Sequence, residues 1–450
     1  MTKQKHLKRR VRERMLKTGE SYVSARRNVL MQGAPSEADP TESPHFPGNV
    51  PAATALRTLL ARRGVRAPHT GLPFSEAMVF GIAGGIGAGV FAFRYEKEDF
   101  SSFFVAGRHL WEDDLSYLQR AASRFGAETQ TQEATGAKKG LLQLQELLQA
   151  GAPVVAWVDM ANLPYRGMPE HWSGGGYHVI VVYELDVAQA QASIGDLADS
   201  PITVSLEELA VARARIGKQK HRLLGLTGEP APMDLAAAIQ DGLRACHAGL
   251  TRGRSSNFTL EGFKNWSEQL VAPGKEGWPA KFSPGRNLWR GLTSLFDFTE
   301  HYGTGGGLAR PLFSDFLQEA SQALKRPDLA ELAVQYAELG TAWSALAEAA
   351  LPDEVAPLRE ARELLGHKAE LFLSEGAGGR ESYVEIWSRL DQLAEEAAES
   401  FPLPQPGIQR LLPGLSERVS ELYRLETQAA AALDQAAMAR PGLDRGVVVP

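Results

Sequence analysis

The chain is poor in sulfur chemistry: 450 residues contain a single cysteine, Cys246. One thiol excludes an internal disulfide framework and any cysteine-rich zinc site, and it fits a reducing cytoplasm. Long apolar runs are missing as well. None approaches the roughly 20 residues needed to cross a bilayer, and the basic N-terminus is not followed by the apolar segment of a secretory leader. The expectation is a cytoplasmic protein with no membrane contact, and nothing in the pattern calls for a cofactor or a metal. A chain of this length with 44% hydrophobic and 23% charged residues has material for two or three cores.

Acidic residues are scarce where the basic ones collect. Residues 1–30 hold ten Lys or Arg against Glu13 and Glu20, a local charge of +8, so the remainder carries −14 of the net −6. A basic block of this kind reads as a mobile interaction arm over 1–40 for an acidic partner, nucleic acid or an acidic protein. Leu7, Val11 and Met15 recur every four residues within it, a thin apolar stripe on a helix over 3–17. A solvated tail is the alternative. Residues 33–51 have linker composition.

The folded chain is expected from about residue 45. A helix over 51–63, capped by Asn49 or Val50 and tolerating Pro51 in its first turn, ends at Gly64. A second helix over 75–80 runs into the glycine run 81–89. A nucleotide-binding loop needs a strand before it and a helix after it; here a helix precedes and the strand-like Val90–Phe93 follows, so close backbone packing is the reading. Helices follow at about 113–125 and 137–150, then a buried strand over 153–158. Beyond it, Gly174-Gly175-Gly176 leads into Tyr177-His178-Val179-Ile180-Val181-Val182-Tyr183, a strand by its β-branched and aromatic content. Alternation places His178 with Ile180 and Val182. A short extended piece, 192–195, brings Asp196 within reach if the strands pair, which makes the base and orienter of a nucleophilic site. The alternative is a histidine that only hydrogen-bonds at a strand end. From about residue 230 helical periodicity dominates, at roughly 234–250, 260–270, 310–324, 326–350, 354–375, 381–400 and 406–437. The run Gly303-Thr304-Gly305-Gly306-Gly307 interrupts it just before a helix, as an anion cradle of free backbone N–H groups or as a flexible turn. Cys246 and His247 are neighbours on one helix and point about 100° apart, which disfavours a catalytic pair.

Several pieces together resemble one family. Thr54-Ala55-Leu56-Arg57, Ser75-Glu76-Ala77-Met78-Val79-Phe80-Gly81, the glycine run, Gly107-Arg108, Leu163-Pro164-Tyr165, Gly175-Gly176-Tyr177-His178-Val179 and Val204-Ser205-Leu206 with Ala212-Arg213 resemble the N-terminal domain of butirosin biosynthesis protein H. Gly303–Gly307, Phe313 to Ala320 and Trp343 resemble the helical domain that usually follows it. The resemblance implies an α+β chain: a papain-like domain over 45–215, then an all-α domain over 230–440. It implies transfer of an aminoacyl group from an acyl carrier protein thioester to a small-molecule amine. His178 matches the family histidine, Asp196 its acidic partner, and Asn49, Thr54, Gly107, Arg108, Tyr165, Gly303, Thr304, Gly305 and Gly306 fall at positions expected to line the substrate. The cysteine nucleophile belongs at the start of the first helix, where a helix N-terminus lowers a thiol pKa. Here that stretch reads Asn49-Val50-Pro51-Ala52-Ala53, and no residue in it attacks a thioester. Three functions remain: a degenerate relative that binds a carrier-linked or small ligand or a partner; direct attack of an amine on a thioester with His178 as general base; and a nucleic-acid-associated protein acting through its arm.

Overall fold

The computed structural model describes residues 3–18, 22–32, 45–108, 114–174, 176–216 and 220–439. Residues 33–44 of the linker expected over 33–51, with His109, Trp111 and Gly175, lie outside the described residues, while 45–51 lead directly into the first helix of the sheet half. In chain order the elements are α1 (Lys3–Thr18), α2 (Tyr22–Gln32), α3 (Pro51–Arg62), α4 (Glu76–Ala83), β1 (Ile86–Tyr95), β2 (Phe100–Arg108), α5 (Asp114–Arg124), β3 (Glu128–Gln132), α6 (Ala137–Gln149) and β4 (Val154–Asp159). Then come β5 (Tyr177–Asp186), β6 (Gln191–Gly195), β7 (Ile202–Ser205), α7 (Leu206–Ala214) and β8 (Leu223–Thr227). The rest is helical: α8 (Leu235–Thr251), α9 (Glu261–Val271), α10 (Trp278–Lys281), α11 (Arg286–Glu300), α12 (Arg310–Leu324), α13 (Pro327–Ala350), α14 (Ala356–Glu375), α15 (Arg380–Glu399) and α16 (Gln405–Met438). An α+β half therefore precedes an all-α half.

Six strands form one sheet in the order β3-β8-β4-β5-β6-β7, and every neighbouring pair is antiparallel. Strand β4 is buried along its whole length because both of its faces are covered. Val155, Trp157, Val179 and Val181 point to the core that α3 joins. Val154, Ala156, Val158, Ile180 and Val182 point to a second apolar cluster with Leu144 of α6 and Leu209 of α7. A one-residue slip would exchange the two sets, so the pleat fixes the register and with it the placing of His178, paired with Val158. Helix α7 begins at Ser205 in a full capping box with Glu208.

The hairpin β1–β2 stands apart from this sheet and packs on the helical half. Phe103 sits among Trp266, Trp278 and Phe282, with ring centres 5.1, 5.0 and 6.4 Å away. The main core consequently runs without a break from Val50 to Ala437, across the boundary drawn near residue 230. The glycine run at 81–89 is where the halves touch. A Cβ on Gly81 would lie 2.0 Å from the Phe316 ring, and one on Gly85, whose φ is +63°, 2.4 Å from Phe313. Close backbone packing, not a phosphate loop, is what these glycines serve.

The basic segment does not stand free over its described residues. Val11 is fully buried, Leu7 and Met15 pack beside it against the second cluster, and Arg26 and Arg27 of α2 are buried. Helix α11 was absent from the sequence reading, and Gly291 explains why: it weakens the local helix signal, yet Phe282 and Trp278 lie against its Cα. Strands β3, β7 and β8, also absent from the sequence reading, are short and pairing with neighbours made them; β2, missed as well, is longer and pairs with β1.

Candidate functional site

Helix α3 starts with Pro51, and its cap residue Val50 offers no side-chain acceptor. A carboxylate from the next helix takes that place. Glu76 Oε1 accepts from the backbone N–H groups of Asn49 and Val50, both at 2.7 Å, and from Thr54 Oγ1 at 2.8 Å. Its Oε2 accepts from Asn49 Nδ2 at 2.9 Å. An anion at a helix N-terminus is favoured by the dipole and the orphan N–H groups. Asn49 and Thr54, expected to line the substrate, are thus buried partners of Glu76. Thr54 is further enclosed by Gly48, where a Cβ would fall 1.8 Å from its hydroxyl. The only thiol, Cys246, is buried in the seam with its S–H toward the Ile86 carbonyl at 3.5 Å, and burial pushes its pKa up.

His178 lies at the start of β5 and Asp196 just past β6, and the pairing of these strands joins them. His178 Nε2 is 2.9 Å from Asp196 Oδ1, with only 7% of the imidazole side chain and none of the carboxylate exposed. Tyr165 donates its hydroxyl hydrogen to Asp196 Oδ2 at 2.8 Å, Arg166 Nη2 donates to the same oxygen at 2.7 Å, and the Leu197 N–H donates to Oδ1 at 2.7 Å. Burial alone would raise the Asp196 pKa; the Arg166 charge and the hydrogen bonds from His178 and Arg166 overcome it and hold the group ionised. Arg166 Nη2 also lies 3.1 Å from His178 Nε2. An acceptor carboxylate draws the Nε2 proton, so Nδ1 is the basic nitrogen. That atom makes no hydrogen bond among the described residues. Burial, with the nearby positive charges of Arg166 and Arg108, lowers the His178 pKa and keeps the ring neutral at pH 7. Arg166, the residue after the quoted Leu-Pro-Tyr piece, is central here and was missed. Its guanidinium also stacks 3.7 Å from the Phe372 ring centre of the helical half, beside Tyr165.

Arg108, at the end of β2, occupies the seam between the halves. Its Nη1 is buried and makes no hydrogen bond, and the guanidinium has no ion pair among the described residues. Burial lowers its pKa to about 10, a sign of missing compensation. The carboxylates that bear on it are occupied elsewhere: Asp114 accepts from Trp157 Nε1 at 2.6 Å, and Glu76 caps α3. The phenols of Tyr117 and Tyr302 also bear on it, but burial raises both to about 12 and they stay neutral. Gly303 lets Arg108 lie against the backbone there. A Cβ on Gly303 would lie 2.9 Å from Arg108 Nη2 and 3.1 Å from Pro51 Cδ.

The glycine loop at 303–307 is neither an open anion cradle nor a loose turn. Its residues are buried, and Gly303, Gly305, Gly306 and Gly307 all have positive φ. The Gly306 N–H donates to Thr304 Oγ1 at 3.3 Å, and the Gly307 N–H donates to Glu300 Oε1 at 3.2 Å. Thr304 Oγ1 itself donates to the Thr299 carbonyl at 3.0 Å. Gly107 is backbone packing of the same seam, since a Cβ there would meet the Leu308 carbonyl oxygen at 2.2 Å.

A helix laid across an antiparallel sheet, with a histidine and a carboxylate at neighbouring strands, makes the first half an α+β unit of the kind the resemblance implied. The sequence comparisons agree and narrow it. Residues 51–197 match the family model described as butirosin biosynthesis protein H, N-terminal, and residues 207–375 match a domain of unknown function, DUF4872. The chain belongs to this butirosin biosynthesis protein H-like family. No curated protein matches it.

Proposed function

We propose that this protein is a degenerate acyltransferase relative that binds a small or carrier-linked ligand bearing a carboxylate or acyl carbonyl, and forms no covalent acyl-enzyme. The observation that carries the reading is Arg108: a buried cation with no ion pair among the described residues and its Nη1 unpartnered costs several kcal/mol unless an anion or acceptor joins it. An arriving ligand would supply that partner beside Pro51 and Gly303. The start of α3 supports the second half of the reading. Its N-terminal charge is already met by Glu76, and Asn49-Val50-Pro51-Ala52-Ala53 holds no nucleophile. Titration with a panel of simple carboxylates, followed by Tm and native mass, tests the binding. Stabilisation by at least one of them that vanishes in Arg108→Met is expected; an unchanged response in Arg108→Met rejects the role of this residue. Intact mass after incubation with an acyl-carrier thioester should show no adduct.

A second reading, direct attack of an amine on a carrier thioester, is favoured by one feature. His178 has Nε2 held by Asp196 and Nδ1 available, so a neutral general base is in place. Amide formation abolished by His178→Ala, with no adduct in the wild type, would promote it above the first. The nucleic-acid reading loses two of its charges, since Arg26 and Arg27 are spent inside the fold. On α1, Arg9 and Arg12 are more than half exposed and already pair with Glu13 and Glu370 at 3.6 and 3.4 Å.

A further inference from the structure

We propose that helix α2 is a wall of the candidate site rather than a binding arm, and that Arg26 is a positioning residue for Asp196 and the start of α3. The inference concerns residues that precede both family matches. It rests on taking the His178–Asp196 cluster as the working site.

Arg26 is fully buried and its three guanidinium nitrogens all donate. Nη1 donates to the Gly48 carbonyl at 3.1 Å, Nη2 to the Leu197 carbonyl at 3.1 Å, and Nε to Asp199 Oδ1 at 2.9 Å, an oxygen Nη2 also contacts. Gly48 immediately precedes Asn49, where the Glu76 cap begins, and Leu197 immediately follows Asp196. One planar fork therefore ties the entry of α3 to the end of the strand that carries the carboxylate. Only arginine has donors at these angles, because its five N–H groups lie in one rigid plane. The same joint is reinforced by the Gly48 N–H, which donates to the Leu197 carbonyl at 3.3 Å. His45 adds a bond to the Ala198 carbonyl at 2.8 Å and another to Tyr183 at 2.9 Å. The Asp199 N–H donates to the Leu373 carbonyl of α14 at 2.8 Å.

Arg27 does the corresponding work on the other side. Successive helical residues point about 100° apart, so α2 reaches two structures at once. Arg27 Nη1 donates to the Gly305 carbonyl at 2.9 Å, inside the glycine loop that backs Arg108, and its Nε lies 3.4 Å from Asp315 Oδ2 of α12. Adjacent arginines thus grip the histidine–carboxylate side and the Arg108 side, and α2 sets how far apart they stand.

The test uses the full chain with Arg26→Gln and with the charge-balanced Arg26→Gln/Asp199→Asn pair, which avoids leaving Asp199 buried and unpaired. Hydrogen exchange by mass spectrometry and the titration of the His178 ring by NMR are read, the latter assigned by its loss in His178→Ala. Exchange should rise about tenfold or more over 45–56 and 194–200 while 261–271 and 327–350 stay protected. The His178 titration should move up toward 6.5 as the pocket loosens. An unmoved His178 titration in the balanced variant overturns the proposal, as does a uniform rise in exchange over the chain. Neither readout involves a ligand, so failure of the binding proposal leaves this result intact, and the reverse also holds.

Discussion

Two arginines enter the seam between the halves within a few residues of each other's contacts, and they differ in one respect. Arg310 is completely buried and ion-paired: Glu426 Oε1 accepts from its Nε at 2.6 Å and from Trp343 Nε1 at 2.7 Å, while the Leu308 and Gly107 carbonyls face its Nη1 at 2.9 and 3.5 Å and its Nη2 is left without a partner. Arg108, the residue after Gly107, has nothing of the kind among the described residues. The paired cation is architecture, binding α16 to α12 across the core. The one without an ion pair among the described residues is a cost the fold carries. The difference also explains the fate of the two helix starts beside it. Glu76 fills the start of α3, where the family's thiol belongs, and Glu300 meets the glycine loop read as an anion cradle, so both are occupied by internal carboxylates.

The comparison breaks first at the paired arginine. Glu426→Gln strands Arg310 and should cost about 3–5 kcal/mol in denaturant unfolding; a loss under about 1 kcal/mol would show that Arg310 finds other acceptors and that pairing is no guide to role. Next, Gly81→Ala should destabilise by about 1–3 kcal/mol through overpacking against Phe316. Helix propensity alone favours alanine by about 1 kcal/mol there, so the sign of the change decides whether the seam is as tight as the contact distances say. Arg108→Met should then leave the apo protein unchanged or about 1 kcal/mol more stable, since it removes an uncompensated cation. A clear destabilisation would make Arg108 a second structural arginine and end the contrast.

The smallest effect is in pH. The His178 pKa is lowered in the fold, so above 6.5 the ring is neutral folded and unfolded and contributes no slope. Below 6.5 the unfolded chain binds a proton that the native ring refuses, and stability falls by at most about 1.4 kcal/mol per unit. Wild type and His178→Gln, unfolded in denaturant from pH 8 to 5, should diverge only in the acid half. Divergence at pH 7–8 would mean a ring charged in the native state, held by Asp196 instead of kept neutral by burial.

Most of the helices, the buried strands and the division into an α+β half and an all-α half were legible in the chain itself. They rest on local rules: the 3.6-residue period of α8 and α12 to α16, the β-branched runs of β4 and β5, the capping box at Ser205. The absence of a nucleophile before Thr54 was equally plain, because it is a matter of residue type. Helix α11 and strands β3, β7 and β8 were not legible, since their signals are weak and long-range packing supplies the stabilisation; β2, with its Phe and Val content, was overlooked.

The site divides in the same way. Residue type and strand alternation were enough to single out His178 and Asp196, and a charge count marked the basic segment. Only the tertiary structure decided what those charges do. It spent Arg26 and Arg27 on carbonyls 22 to 278 positions away in the chain and gave the start of α3 to Glu76. It brought Arg166 to Asp196 and left Arg108, beside Gly303, without an ion pair among the described residues. Whether a buried charge is partnered depends on groups distant in sequence arriving within hydrogen-bond reach, and no local pattern encodes that distance.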